Sequence, residues 1–190
     1  MPNIRIAQDD AADQLLSTDP FALLVGMLLD QQYGMEHAFR GPAKIVAKLG
    51  TLNAAVIAAQ DPEQFADLCS TPPAIHRYAR SMAGRVQQLA QVVVHDYDGD
   101  AARIWTTAGS TAELLKRLKA LPGYGDQKAR IFAALLGKQL GITPDGWREA
   151  IGPYAEAGSF RSVADVVDET SLQKVREFKK AAKAKAKAAQ

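Results

Sequence analysis

The chain has 190 residues and a mass of 20.4 kDa, room for one compact domain or for two small lobes that share chain segments. Apolar residues make up 47% and charged residues 23%, a globular mix that excludes a disordered or fibrous chain. The formal net charge is +2, so the total shows none of the basic excess expected of a nucleic-acid binder.

Residues 1–18 carry Asp9, Asp10 and Asp13 where a signal peptide is apolar, so no export signal is expected. Asp19-Pro20 reads as a helix start, and Phe21 to Gln32 is apolar on almost every face, which predicts a central, buried helix. Its longest apolar run, Phe21 to Leu29, is too short to span a bilayer. Glu36 to Leu49 is amphipathic around Gly41-Pro42, Asp61-Pro62 opens a short helix, and Thr71-Pro72-Pro73 interrupts the chain before a long helix over about 74–95. Ser110-Thr-Ala-Glu113 reads as a capping box launching a helix over 112–120. The turn Leu121-Pro-Gly-Tyr-Gly125 leads into a helix over 126–140, ended by Gly141. Thr143-Pro144-Asp145 starts another helix from Trp147 to about Ala157, and a shorter piece spans 159–168. Val92 to Val94 is the one β-branched triplet, and no Asn-Gly or Asp-Gly turn joins two alternating runs, so the expected fold is all-α. The expected organisation is a body over 1–171, with its hairpin at 111–140, and a basic tail over 172–190 that is helical or disordered.

A single cysteine, Cys69, excludes an intramolecular disulfide and any metal site needing several thiolates of one chain, and it fits a reducing cytoplasm. The hairpin Leu121–Gly125 carries more chemistry. Gly123 and Gly125 have no Cβ and tolerate positive φ, so another chain can approach this backbone closely. The first N–H groups of the following helix have no intrahelical partner and lie at the positive end of its dipole, which suits a phosphate oxygen. The same turn also serves a plain αα-corner. Asp145, twenty residues past Gly125, reads first as the N-cap of the next helix. A carboxylate there could also stabilise positive charge developing on a bound sugar.

These residues resemble the helix-hairpin-helix superfamily of DNA glycosylases, which includes endonuclease III and the 3-methyladenine glycosylases. Leu121-Pro-Gly-Tyr-Gly125 resembles the family's hairpin, Asp145 lies at its spacing to a catalytic aspartate, and Asp19-Pro-Phe to Leu29-Asp-Gln-Gln32 resembles its N-terminal helix. The resemblance implies two helical lobes with double-stranded DNA across the cleft and a damaged or mismatched base flipped out for N-glycosidic cleavage. It implies Asp145 as electrostatic stabiliser or water activator. Gly123, Tyr124, Gly125 and Lys128 would lie on DNA, with Gln32, or Gln31, filling the gap left by the base. Either glutamine serves equally to satisfy polar groups between lobes. Gln127 stands where bifunctional members carry a Schiff-base lysine, which implies a monofunctional enzyme using water, with Lys128 near a phosphate or in solvent. Met27 replaces the acid of the mismatch adenine glycosylases, and one cysteine excludes the four-cysteine iron-sulfur cluster. The implied enzyme has no cofactor beyond a monovalent cation at the hairpin, and acts as a monomer in the cytoplasm on the nucleoid. Tyr33, Trp105, Tyr124 and Trp147 are candidates for stacking on a base, with core packing as the alternative for each.

Resolved by segment, the charge changes meaning. Residues 76–148 carry 11 basic and 6 acidic groups and residues 172–190 carry 7 and 1, while 1–75 and 149–171 are acidic. Arg77, Arg80, Arg85, Lys116, Arg117, Lys119, Lys128, Arg130 and Lys138 bracket the hairpin, and the Lys-rich tail offers a loose grip on phosphate. The competing expectation is a catalytically silent DNA-binding protein in which Asp145 is only a cap.

Overall fold

The computed structural model describes residues 2–190, and every regular element among them is helical. Helix α1 (Asp10–Thr18) starts on Asp9, whose carboxylate accepts from the Ala12 N–H at 2.9 Å. Helix α2 (Pro20–Leu29) starts on Asp19, which accepts from the Phe21 N–H at 2.9 Å, and every residue from Phe21 to Leu29 is buried. Helix α3 (Met35–Leu49) lies against α2 so closely that a Cβ on Gly26 would fall 2.5 Å from the Phe39 ring. Helices α4 (Ala54–Ala58) and α5 (Pro62–Ser70) pack on α6 (Ala79–Tyr97), whose buried Gln87 donates to the carbonyls of Ile57 and Gln60.

The second half is arranged around one helix. Helix α7 (Arg103–Thr106) leads to α8 (Thr111–Lys119), and the hairpin turn joins α8 to α9 (Asp126–Leu140). Around α9 pack α8, α10 (Trp147–Ile151), the 3₁₀ turns Gly152–Ala155 and Val163–Asp165, and the first part of α11 (Glu169–Ala188) through the second of those turns. Leu172 and Val175 of α11 belong to the buried core, so the expected boundary at residue 171/172 falls inside a helix that is anchored at one end. Residues 179–188 of that helix are exposed throughout. No described helix is long and apolar enough to cross a membrane.

The all-α expectation holds, and α9 has the expected bounds. Three other boundaries differ for local reasons. Helix α2 stops at Leu29 rather than Gln32, because Asp30 leaves helical ψ and Gln32 takes a left-handed φ of 51°. Helix α6 starts at Ala79 rather than near residue 74, because the buried His76 ring organises the preceding bend, with Nδ1 accepting from the Tyr78 N–H and Nε2 bonding the Gln31 carbonyl. The helix expected from Trp147 to Ala157 ends at Ile151, where Gly152 takes a φ of 62° and Pro153 tightens the chain into a 3₁₀ turn.

Candidate functional site

Helix α9 begins at Gly125 with no side-chain cap, and nothing lies within 4 Å of where a Cβ on Gly125 would be. The N–H groups of its first turn therefore have no side-chain cap at the positive end of a helix of 15 residues. Gly123, two residues earlier, has a φ of 78°, and its Cα leans on Leu28 of α2, where any Cβ would collide with the leucine side chain. The two glycines have different duties, one fitting the hairpin to α2 and the other leaving its outer face bare. Arg85 of α6 borders this turn, its Nη1 3.9 Å from the position of a Gly123 Cβ.

Inward of the turn, two charged side chains share the seam between α2 and α9. Lys128, in the first turn of α9, points its Nζ at the Leu28 carbonyl, 3.2 Å away. Burial pulls its ammonium down to about 8, against the opposing pull of Asp30. Asp30, the residue that ends α2, has a side chain only 9% exposed and lies 4.0 Å from Lys179 of α11. Burial pushes its carboxyl above the ordinary carboxylate range, with Lys179 and then Lys128 drawing it back. One turn along α11, Arg176 pairs with the buried Glu36 of α3, whose second oxygen, Oε2, has no hydrogen-bond partner. Beside Lys179 opens a cleft of about 460 Å³, lined by Gln127 and Ile131 of α9, Pro153, Tyr154, Arg161 and Phe178 among others.

A family model for HhH-GPD superfamily base excision DNA repair proteins matches residues 25–189, from the second half of α2 through the hairpin, α9 and α11. The chain belongs to the HhH-GPD superfamily. No curated protein matches the sequence. The superfamily is that of the DNA glycosylases of base excision repair, proteins that act on DNA. Within this HhH-GPD chain the residues singled out from the sequence fall into two groups.

Gln127, Lys128, Gly123 and Gly125 lie together at the hairpin, where Gln127 Nε2 donates to the Tyr154 hydroxyl at 3.0 Å. Lys128 is turned inward against α2 rather than toward solvent, because its long side chain spans the seam to the Leu28 carbonyl. Tyr124 is not available to stack on DNA. Its ring is 5% exposed, its hydroxyl donates to the Leu24 carbonyl at 2.7 Å, and it packs edge-on against Phe132. Gln31 is tied down, Nε2 to the Leu28 carbonyl at 3.1 Å, while Gln32 is exposed on its strained left-handed backbone next to Arg77.

Asp145 and Trp147 lie elsewhere. The N-cap of α10 is Gly146, at φ 80°, not Asp145, whose exposed side chain caps nothing. The Asp145 carbonyl accepts from the Thr111 N–H at 3.1 Å, which fixes it at the start of α8, the opposite end of that helix from the hairpin. The chain leaves α9 at Gly141 and enters α10 almost at once, then runs back along α9, with Trp147 Nε1 on the Ala133 carbonyl, Ala150 on Arg130 and Tyr154 on Gln127. Trp147 is thus a core residue laid across Gly137, and Trp105 is another, packed on Phe132. The buried acid Asp30 shows in the sequence only as a lone carboxylate at the end of an otherwise apolar helix. Cys69 is buried in α5 with its thiol pushed up to about 11, a packing residue and no ligand.

Proposed function

We propose that the chain is a monofunctional DNA N-glycosylase that holds damaged or mismatched duplex DNA at the hairpin and hydrolyses the glycosidic bond of a flipped nucleotide with water, as a monomer. The uncapped, unobstructed N-terminus of α9, beside a largely apolar cleft edged by Arg161 and Lys179, carries the reading. Phosphate on the backbone N–H groups of α9, flanked by Arg85, offsets the few kcal/mol of unstacking. Exposed Gln32 is placed to enter the vacated stack. Two features favour water over a lysine nucleophile: Gln127 occupies the position of the attacking lysine, and the amine of Lys128 is engaged with a carbonyl of α2. Asp145 keeps the motif spacing for the carboxylate.

The second reading, a catalytically silent lesion-binding protein, is favoured by one observation: Asp145 does not line the cleft at Gln127 but a separate open one, with Thr143, Trp147 and Arg148. Purified protein is to be assayed against duplexes carrying alkylated, deaminated or oxidised bases, scoring free base and, separately, covalent complexes trapped with borohydride. Base release without trapping is the expected result. Binding with no release from any duplex would establish the silent reading, and a trapped complex lost in Lys128→Ala would overturn monofunctional chemistry.

A further inference from the structure

Helix α3 carries Arg40, Lys44 and Lys48 at intervals of four residues, so the three cations stand in one row along the helix. None of them pairs with a described carboxylate, whereas Arg80, Arg103, Arg117, Arg130 and Lys138 each do. Their partners are carbonyl groups. Arg40 donates to those of Ala7 and Gln8 at 2.8 and 3.3 Å, Lys44 to that of Ala74 at 3.0 Å, and Lys48 to that of Thr71. A carbonyl takes up a donor but leaves the charge, and both ammonium and guanidinium groups keep further donors free. Burial, and then the neighbouring Arg40 and Lys48, pull the Lys44 ammonium below the ordinary lysine value, as expected of like charges crowded without a counterion.

The row borders a cleft of about 470 Å³, within the range of small-ligand sites, ~300–1,000 Å³. The rest of its lining is Asp9 and Ala12, Ala43 and Ala47, and Pro72 and Pro73. Asp9 is the one acid among them, and its carboxylate is engaged as the cap of α1, on the Ala12 N–H. The other five are apolar, so the cleft combines small apolar walls with an unneutralised row of positive charge. No residue of α2, the hairpin or α9 lines it. Helix α3 packs on α2 at Gly26, which stands on the opposite side of α2 from Leu24 and Leu28, the residues that meet the hairpin. Two helices therefore lie between this cleft and DNA held at the start of α9.

The spacing of the row selects its occupant. Four residues of helix rise ~6 Å, and alternate side chains on one face of an extended chain recur every ~6.6–6.8 Å. Three cations at that interval match three acidic side chains at alternate positions of an extended segment, whereas a single phosphate or small carboxylate spans one interval at most. We propose that this cleft docks an extended segment of a partner protein that alternates acidic and apolar residues, the acids lying along Arg40, Lys44 and Lys48 and the apolar side chains against Ala12, Ala43 and Ala47. The site is separate from the hairpin, so its occupation leaves DNA binding free, and it stands whether or not the protein releases a base.

Fluorescence anisotropy of the full-length protein with a labelled peptide of alternating Asp and Leu tests it, beside a peptide with the same residues in two blocks and one with Asn in place of every Asp. The alternating peptide should bind, and the other two at least about tenfold more weakly. Lys48→Glu, which reverses one charge of the row, and Ala47→Glu, which brings an acid into the cleft from an exposed position of α3, should each weaken the alternating peptide by a similar factor. An excess of undamaged duplex should leave the peptide in place. Absence of binding, equal binding of the blocked or the Asn peptide, or displacement by the duplex overturns the proposal. Competition by inorganic phosphate as strong as by unlabelled peptide would make this a small-anion site and overturns it as well. Should Lys48→Glu fail to fold, having lost its tie to the Thr71 carbonyl, an unaltered affinity in Ala47→Glu overturns the proposal on its own.

Discussion

Lys128 is held where an ammonium is disfavoured, and that has a measurable consequence for the free protein. The unfolded chain keeps the ordinary lysine value of 10.5, whereas the folded value is about 8, lowered first by desolvation and restored in part by Asp30. Between those values the unfolded state binds more protons, so Lys128 makes stability rise with pH across the window, and its cost is fully present below about 8. Urea unfolding of wild type and Lys128→Met at pH 7.5 and pH 10 should therefore show a difference that shifts in favour of the wild type at the higher pH. A difference independent of pH would mean that the amine titrates as an ordinary surface lysine. At this scale the sequence was only half legible. Gln127 and Lys128 are adjacent, and the 100° step between them was readable as a difference in direction. What the lysine turns toward is the Leu28 carbonyl, distant in the chain, and no local pattern reports such a pairing.

Helix α9 is the element on which both the hairpin and the returning chain depend. Its bounds were legible because glycine marks both: Gly125 at its N-cap, and Gly141 at its end with a φ of 72°. The position of Asp145 was not legible, because motif spacing counts residues and is silent on whether the linker doubles back along the helix. Here the linker stays at the far end, and Trp147 makes the return, its ring lying on Gly137 while its Nε1 holds the Ala133 carbonyl at 2.9 Å. Opposing effects meet at Gly137. Replacement by alanine gains about 1 kcal/mol of helix propensity, but the added methyl would overlap an indole that its hydrogen bond keeps from moving, and overpacking costs ~1–3 kcal/mol. The second effect should win, and Gly137→Ala should lower Tm by a few degrees, on the order of 2–4 °C per kcal/mol for a chain of this size. A Tm equal to or above that of the wild type would show that α10 can slide on α9.

At the scale of the whole molecule the charge segregation visible in the sequence is real, but its parts are not equally free to meet DNA. Arg80 is committed to Glu63 and Asp67, Arg117 to Glu113 and to carbonyls of the α7 region, Arg130 to Asp126 and the Ala150 carbonyl, and Lys138 to Asp165. These residues tie helices together, so their positive charge is largely neutralised within the protein. By contrast, Lys183, Lys185 and Lys187 are exposed on the end of α11 with no described acidic neighbour. Lys179, earlier in the same helix, lies by Asp30 and lines the cleft at Gln127, so the free end continues from the cleft side of the molecule. Counterion release gives a slope of about −0.9 in log K against log salt for each phosphate neutralised on duplex DNA. Deleting residues 183–190 removes three lysines and leaves Arg176 and Lys179 in place, so the slope should become shallower by up to about 3 if each meets a phosphate. Arg80→Ala removes one positive charge but also frees two carboxylates, and it should leave the slope nearly unchanged. Fluorescence titration of an undamaged duplex from 50 to 200 mM salt, an interval of roughly the size over which such slopes are resolved, distinguishes the two. A slope unaltered by the deletion would place the DNA contacts of this chain on the hairpin and its flanking arginines alone.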